Sequence, residues 1–469
     1  MLLPLALTVL TATIFCEIAA RREWIPYWIS RKLLHIIAVG SCGLAARWID
    51  RELLTLIVAG AEIGLIGLVA SGKLMRDESG RKAWGIVWFP LAFLLLLTSS
   101  LPDDRVAFCM LVLALCDPAA TIFGKLFARS NYSLTGDPKS LVGNLAFLGS
   151  FLVLALCWGM SPTPGLFLTG GLLAVTEALG SRGMDNLFVP LATAWLLGPV
   201  ANVNGQQQTL LVTCLAAVVF AWWMVRRGSL TWGGAAAAAL LGIAVTLSMG
   251  PLWLLPLVLF LGSSSLIGKF FPSQSAAGDH KHAQPRDAMQ VFSNGAVYGY
   301  WAMKVQLFSG VIFIFARTPP EPMLLCAMAV ATADTWSSEL GQYFRQPTYD
   351  LLRWRRVPPG LSGGVSLAGT LAGLAGAGFI ALCGSWMTGM DWGNVALFTL
   401  VGFLGMLLDS VLGALLQPTY RHPETGALSD VRPEGGTKIS GLNWMTNDWV
   451  NFVAIAVTVF GYFWGTIFL

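Results

Sequence analysis

Charge is scarce in this 469-residue chain: Asp, Glu, Lys and Arg make up only 12% of it, against 55% hydrophobic residues, and the mean hydropathy is +0.68. A soluble domain needs far more polar surface than that. Cysteine occurs eight times but never as Cys-x-x-Cys, and each one lies in or at an apolar run. Small buried thiols fit that placement better than redox or metal chemistry. A Walker A loop is also missing. Gly136-Asp-Pro-Lys139-Ser140 has no glycine directly before its lysine, so it cannot form that phosphate cradle. The first apolar run has no basic leader and no clean small-x-small cleavage site, and Arg21-Arg22 follow it. It reads as a retained helix rather than a secretory signal. The net charge of +4 reflects loop residues, and no nucleic-acid partner is expected.

What the chain does have is long apolar runs, about sixteen of them, most near the ~20 residues that cross a bilayer. Backbone groups in lipid must bond within each segment, so the expected fold is all-α: a polytopic membrane protein of about sixteen transmembrane helices in two related halves. An outside N-terminus places alternate loops in the cytoplasm, near 20–32, 71–83, 125–140, 180–186, 226–232, 268–290, 341–363 and 417–445. Those loops hold 24 of the 29 Lys and Arg residues, as the positive-inside rule requires. A bacterial inner membrane is the expected location. The polar stretch 201–208 reads as an extracytoplasmic linker between domains at 1–200 and 209–469.

One acidic pattern occurs twice. Asp117 and Asp334 each end an apolar run, and a glycine follows seven residues later, at Gly124 and Gly341. Downstream come Ser140-x2-Gly143 and Ser366-x2-Gly369, then an acid in an apolar segment, Glu177 or Asp409. Each half closes with an Asp/Asn pair that opens its last long apolar segment, Asp185-Asn186 and Asn447-Asp448. Upstream, Arg31-x3-His35-x4-Gly40 is echoed by Arg286-x3-Gln290-x4-Gly295. Ionisable groups inside apolar runs are costly and mark function.

Carboxylates beside a lysine, a serine and backbone-exposing glycines suit a metal–nucleotide site, because Mg²⁺ takes carboxylate oxygens plus substrate phosphates. In the first half Asp117, Glu177 and Asp185 are the metal-ligand and catalytic candidates, with Lys139 beside them. Arg31, Lys32, His35, Gly124, Ser140, Gly143 and Asn186 would contact nucleotide or phosphate. In the second half Asp334, Asp409 and Asp448 are the metal candidates and Glu339 a further catalytic one. Five residues separate Asp334 from Glu339, so either the helix unwinds between them or Glu339 acts from a loop. Gln290, Asn294, Gly341, Gly363, Gly364, Ser366, Asn447 and Asn451 would bind nucleotide or phosphate. The stretch 362–366 offers backbone amides for phosphates, and also a helix N-cap.

Residues 1–200 resemble the polyprenol kinase group that includes dolichol kinase and phytol kinase. The resemblance rests on Arg31-Lys32-x2-His35, Asp117-Pro-Ala-Ala-x3-Gly124, Lys139-Ser140-x2-Gly143 and Glu177-x7-Asp185-Asn186-x3-Pro190. It implies CTP- and Mg²⁺-dependent phosphorylation of a long isoprenoid alcohol. Residues 209–469 resemble the DUF92 (transmembrane protein 19-like) family, to which plant phytyl-phosphate kinase belongs. Here the motifs are Gln290-x3-Asn294-Gly295, Asp334-x4-Glu339-Leu-Gly341, Gly363-Gly364-Val-Ser366, Asp409-x3-Gly413 and Asn447-Asp448-x2-Asn451. That family implies transfer of a second phosphate onto a prenyl monophosphate. The loop at 279–284 lacks the lysine run such a protein would carry.

The resulting expectation is a bifunctional isoprenoid kinase in the lipid bilayer, taking an isoprenoid alcohol and then the prenyl phosphate, with CTP or another nucleoside triphosphate as donor. Both active sites would face the cytoplasm. Duplicated halves with buried acids would also fit a transporter or flippase, and a CTP-dependent lipid kinase or cytidylyltransferase is a third reading.

Overall fold

The computed structural model describes residues 2–70, 85–197, 204–272, 284–308 and 318–468. Sixteen α-helices lie among the described residues. Eight helical stretches are long and apolar enough to cross a membrane, and four more apolar helices of 13 to 17 residues accompany them. The protein is a polytopic membrane protein. The chain divides into two compact units, Met1–Ala216 with Lys304–Thr318 and Ala217–Met303 with Pro319–Leu469. Of the stretch expected as a linker, 201–203 lie outside the described residues and Asn204–Gln208 already begin a helix. The loop expected at 71–83, and residues 273–283 of the loop expected at 268–290, also lie outside them.

The first eight helices are α1 (Leu2–Arg21), α2 (Tyr27–Ala45), α3 (Arg51–Ala70), α4 (Gly85–Leu97), α5 (Asp103–Phe127), α6 (Leu141–Cys157), α7 (Pro164–Leu179) and α8 (Asp185–Leu197). The hub is α5, packed against α2, α4, α6 and α8. After a charged first turn it is apolar on every side from Val106 to Cys116 and buries most of that stretch, as a central helix must. Phe108 meets Phe151 and Trp158 edge-on, with centroids 6.4 and 5.5 Å away.

The remaining helices are α9 (Asn204–Arg226), α10 (Trp232–Met249), α11 (Leu255–Phe270), α12 (Ala288–Phe308), α13 (Glu321–Phe344), α14 (Leu367–Thr388), α15 (Trp392–Leu416) and α16 (Asn447–Phe468). Here the hub is α13, which packs against α11, α14, α15 and α16. Aromatic pairs tie α12 to α16, among them Phe292 stacked on Phe452 at 5.3 Å.

The fold is all-helical apart from two loops. Residues 341–363 and 417–445, read from the sequence as loops, help build two small three-stranded antiparallel sheets. One has the order β2-β1-β3, from β1 (Thr348–Asp350), β2 (Arg356–Val357) and β3 (Gly364–Val365). The other has the order β5-β4-β6, from β4 (Thr419–Arg421), β5 (Leu428–Ser429) and β6 (Thr437–Ser440). Long loops carry backbone groups that need partners, and short ladders supply them.

One helix crossing is built in both units. Ser140 caps α6 by accepting from the Gly143 amide at 3.1 Å, and Ser366 caps α14 by accepting from Gly369 at 3.2 Å. Seven residues are two helical turns, so Gly124 and Gly341 share a face with their aspartates. Gly124 meets Ser140 and Gly143; Gly341 meets Ser366 and Gly369. A Cβ on Gly143 would stand 2.9 Å from the Ala120 carbonyl oxygen, and one on Gly369 2.9 Å from that of Ser337. Ala120 and Ser337 each follow their aspartate by three residues. These glycines let two helices touch.

Gly369→Ala therefore sets two effects against each other. Alanine gains about 1 kcal/mol of helix propensity, whereas overpacking costs about 1–3 kcal/mol. The neighbour is backbone and cannot rotate away, so the clash should win. Purified Gly369→Ala protein is expected to unfold at a lower temperature than the wild type; an equal or higher Tm would contradict the crossing.

Candidate active site

In the first unit, α5, α7 and the start of α8 gather Asp117, Glu177 and Asp185. One carboxylate oxygen from each lies within 4.8 Å of the others. Asp117 and Glu177 are each only 3% exposed. Three hard oxygen donors at that spacing fit Mg²⁺. Two lysines border the cluster. Lys32 donates to Asp117 Oδ2 at 2.8 Å. Lys139 donates to Glu177 Oε1 at 2.5 Å and to the Glu177 carbonyl at 3.0 Å, and stands 3.8 Å from Asp185. His35 Nε2 lies 3.7 Å from Asp117 Oδ2 and 3.4 Å from the Leu113 carbonyl. With His35 neutral, three carboxylates against two lysines leave a single negative charge. A divalent cation would reverse its sign, which a triphosphate requires.

Of the adjacent Arg31 and Lys32, only Lys32 reaches Asp117; Arg31 lies exposed. Lys32 and His35 are three apart and share a helix face. The loop that carries Lys139 is pinned in place. Tyr132 and Lys139 exchange two backbone hydrogen bonds of 2.8 Å, and Asn144 donates to the Tyr132 hydroxyl at 2.7 Å. Asp137 accepts from the Arg182 amide at 2.9 Å, so it fastens a turn. The Asn186 side chain donates to the Gly85 carbonyl at 2.9 Å and anchors α8 beside Asp185.

Burial pulls on the Lys139 ammonium, but the Asp185 and Glu177 carboxylates outweigh it and hold its pKa above the usual lysine value. Lys139→Met would leave Glu177 and Asp185 without their cation. Breaking a buried pair in this way costs about 3–5 kcal/mol. The variant is expected to show a lowered Tm that Mg²⁺ restores more strongly than it raises that of the wild type. Equal Mg²⁺ responses would contradict the charge balance.

In the second unit a cavity of about 200 Å³ lies among Asp334, Glu339, Asp409, Asn447, Asp448 and Asn451. Gln290, Asn294, Gly341, Gly363, Gly364 and Ser366 also line it. Asp334 and Asp409 line the cavity together, an arrangement that favours a shared proton or cation. With its amide nitrogen turned inward, Asn451 donates to Asp409 Oδ1 at 3.1 Å and to the Asn447 carbonyl at 3.0 Å. The expected break between Asp334 and Glu339 is not there: α13 runs unbroken from Glu321 to Phe344. Both side chains reach the cavity from that helix, and Glu339 faces Arg286, with Oε1 3.8 Å from Nη2. Asp117 and Asp334 each sit ten residues before the end of their helix.

Several groups expected to bind phosphate are engaged within the fold. The Ser362 amide donates to Asp430 at 2.7 Å, the Gly364 amide to the Leu361 carbonyl at 3.0 Å, and the Gly369 amide to Ser366. Gln290 forms a capping box with Asp287: its amide donates to Asp287 Oδ1 at 2.9 Å and its Oε1 accepts from the Asp287 amide at 3.1 Å. Other buried atoms on the cavity wall have no hydrogen-bond partner among the described residues: Glu339 Oε2, Arg286 Nη1, Asn294 Oδ1 and Gln417 Oε1. A polar ligand would satisfy them. Arg286 was not among the candidates read from the sequence. Its signal was the Arg31/Arg286 echo, which marks the start of α12 as the counterpart of α2.

Residues 215–459, just over half of the chain, match the family model described as integral membrane protein DUF92. The chain belongs to that family. The matched span contains the whole second cavity. The DUF92 chain is also similar to Protein PGR of Arabidopsis thaliana, 35% identical over 149 residues, covering 28% of this chain and 50% of that protein. It is 30% identical over 125 residues to Protein VTE6, chloroplastic, of the same plant, covering 27% of this chain and 32% of that protein. A third relative is CTP-dependent diacylglycerol kinase 1 of Schizosaccharomyces pombe, 30% identical over 142 residues, 27% of this chain and 64% of that protein. The chain thus spans half or less of the length of the two plant relatives. No solved structure matches. This DUF92 membrane protein is a distant relative of a CTP-dependent lipid kinase.

Proposed function

We propose that the protein is an isoprenoid kinase with two separate phosphoryl-transfer sites, one per unit. The observation that carries this reading is the twice-built helix crossing, each copy beside its own group of carboxylates. In the first unit the hydroxyl of a prenyl alcohol such as phytol or geranylgeraniol attacks the γ-phosphorus of CTP or another nucleoside triphosphate. The bond to the bridging oxygen breaks, the diphosphate leaves, and a carboxylate of the cluster takes the hydroxyl proton. In the second unit the attacking atom is a phosphate oxygen of the prenyl monophosphate, already anionic, so no base is needed; a P–O–P bond forms and the nucleoside diphosphate leaves.

Asp117, Glu177 and Asp185 would hold Mg²⁺ in the first unit, and Asp334, Asp409 and Asp448 in the second. When bound, the ion neutralises phosphate charge and aligns the triphosphate. Lys139 and Lys32 fix the first set of carboxylates. The loop charges support a cytoplasmic position for both sites.

Purified protein given phytol or geranylgeraniol, Mg²⁺ and each nucleotide in turn should yield the mono- and diphosphate by mass analysis. The match to a CTP-dependent diacylglycerol kinase favours a second reading, in which the acceptor is diacylglycerol. Phosphatidate formed from diacylglycerol, with prenyl alcohols untouched, would select it.

A further inference from the structure

Arg286 has the surroundings of a ligand-binding residue. Its backbone is secured independently: its amide donates to Ser229 and its carbonyl accepts from Thr231, both at 3.0 Å. The side chain is thus not needed to hold the chain's path. Its guanidinium lies over the Phe260 ring, 5.4 Å from the centroid, a shelf that fixes the plane of the fork.

Glu339 holds that fork loosely. The 3.8 Å between Nη2 and Oε1 exceeds a hydrogen bond. Glu339 is 7% exposed, yet its Oε2 and the Arg286 Nη1 are both buried without partners among the described residues. An arginine and a carboxylate serving only each other would close into two parallel hydrogen bonds. Here each leaves a polar atom open beside the cavity.

The wall explains why. Asp334, Glu339, Asp409, Asp430 and Asp448 line the cavity, and Arg286 is the only basic residue among the described ones that do. The acids suit cations. A phosphate monoester arriving among five carboxylates has one direct protein partner of opposite charge, and that partner presents the fork geometry that phosphate matches.

We propose that Arg286 binds the phosphate already carried by the lipid acceptor of the second unit, and that Glu339 is the resting counter-ion it gives up on binding. This rests on reading the second unit as a prenyl-phosphate kinase. It makes Arg286 the residue that separates phosphorylated from unphosphorylated acceptors, because an alcohol offers nothing to compensate for parting Arg286 from Glu339.

The test uses full-length wild-type, Arg286→Lys, Arg286→Gln and Glu339→Gln proteins, with radiolabelled geranylgeranyl monophosphate as the probe. Equilibrium binding is measured alongside the nucleotide KM for diphosphate formation. Losing one charge-assisted hydrogen bond corresponds to about 10-fold or more in affinity. Monophosphate binding should weaken at least that much in Arg286→Lys and further in Arg286→Gln, while the nucleotide KM stays at its wild-type value. Glu339→Gln, which frees the guanidinium, should bind the monophosphate at least as tightly as the wild type. Wild-type affinity in both arginine variants would overturn the proposal, as would a raised nucleotide KM with monophosphate affinity intact. Equal weakening in Glu339→Gln and Arg286→Gln would reduce the pair to a structural one. Wild-type protein that neither binds nor phosphorylates the probe would instead remove the second-unit reading itself.

Discussion

Asp117→Asn should stop phosphorylation of the prenyl alcohol while added prenyl monophosphate is still converted to the diphosphate. The substitution keeps the volume of a side chain that is 3% exposed, so packing around α5 is preserved. It removes one of three clustered carboxylates and leaves Lys32, 2.8 Å away, without its partner. Losing one fixed electrostatic contact to a developing transition state typically costs 10²–10³-fold in rate, and a missing metal ligand should cost at least as much. Mass analysis with alcohol and monophosphate as alternative substrates reads both steps. Alcohol phosphorylation at the wild-type rate in folded Asp117→Asn protein would remove Asp117 from the site.

Asp334→Asn should give the reverse: alcohol is consumed, monophosphate accumulates and no diphosphate appears. Asp334 and Asp409 line the same cavity, and Asn451 holds Asp409 from α16. An asparagine at 334 cannot supply the anionic oxygen that a cation shared with Asp409 would take. The effect should again be 10²–10³-fold, confined to the second step. If both variants blocked both steps alike, the units would form one composite site.

The acids were readable because cost marks them: an aspartate inside an apolar run is conspicuous in sequence whatever its neighbours. Lys139 lies in a polar loop and was readable only from its place beside Ser140 in Lys139-Ser140-x2-Gly143. The glycines Gly124, Gly143 and Gly341 were visible as a pattern in the sequence. Their role as a helix crossing emerges only once Ala120 and Ser337 are seen across the gap. Which of Arg31 and Lys32 turns inward depends on the rotation of α2 against α5, and no local pattern sets that. The six strands were invisible because each has two to four residues, too few to show an alternating pattern. Arg286 escaped because its partner Glu339 lies 53 positions away in sequence, on another helix.

The most direct measurement of two independent sites is a mixing experiment. Asp117→Asn and Asp334→Asn proteins are reconstituted into vesicles separately and together, then given geranylgeraniol, Mg²⁺ and the nucleotide that supports the wild type. Neither variant alone should make diphosphate from the alcohol. The mixture should make it, because monophosphate released by Asp334→Asn protein can diffuse in the leaflet to intact second units. The yield should fall short of the wild type, in which both sites share one chain and the intermediate's effective concentration is higher. A mixture as silent as either variant alone would contradict the two-site account.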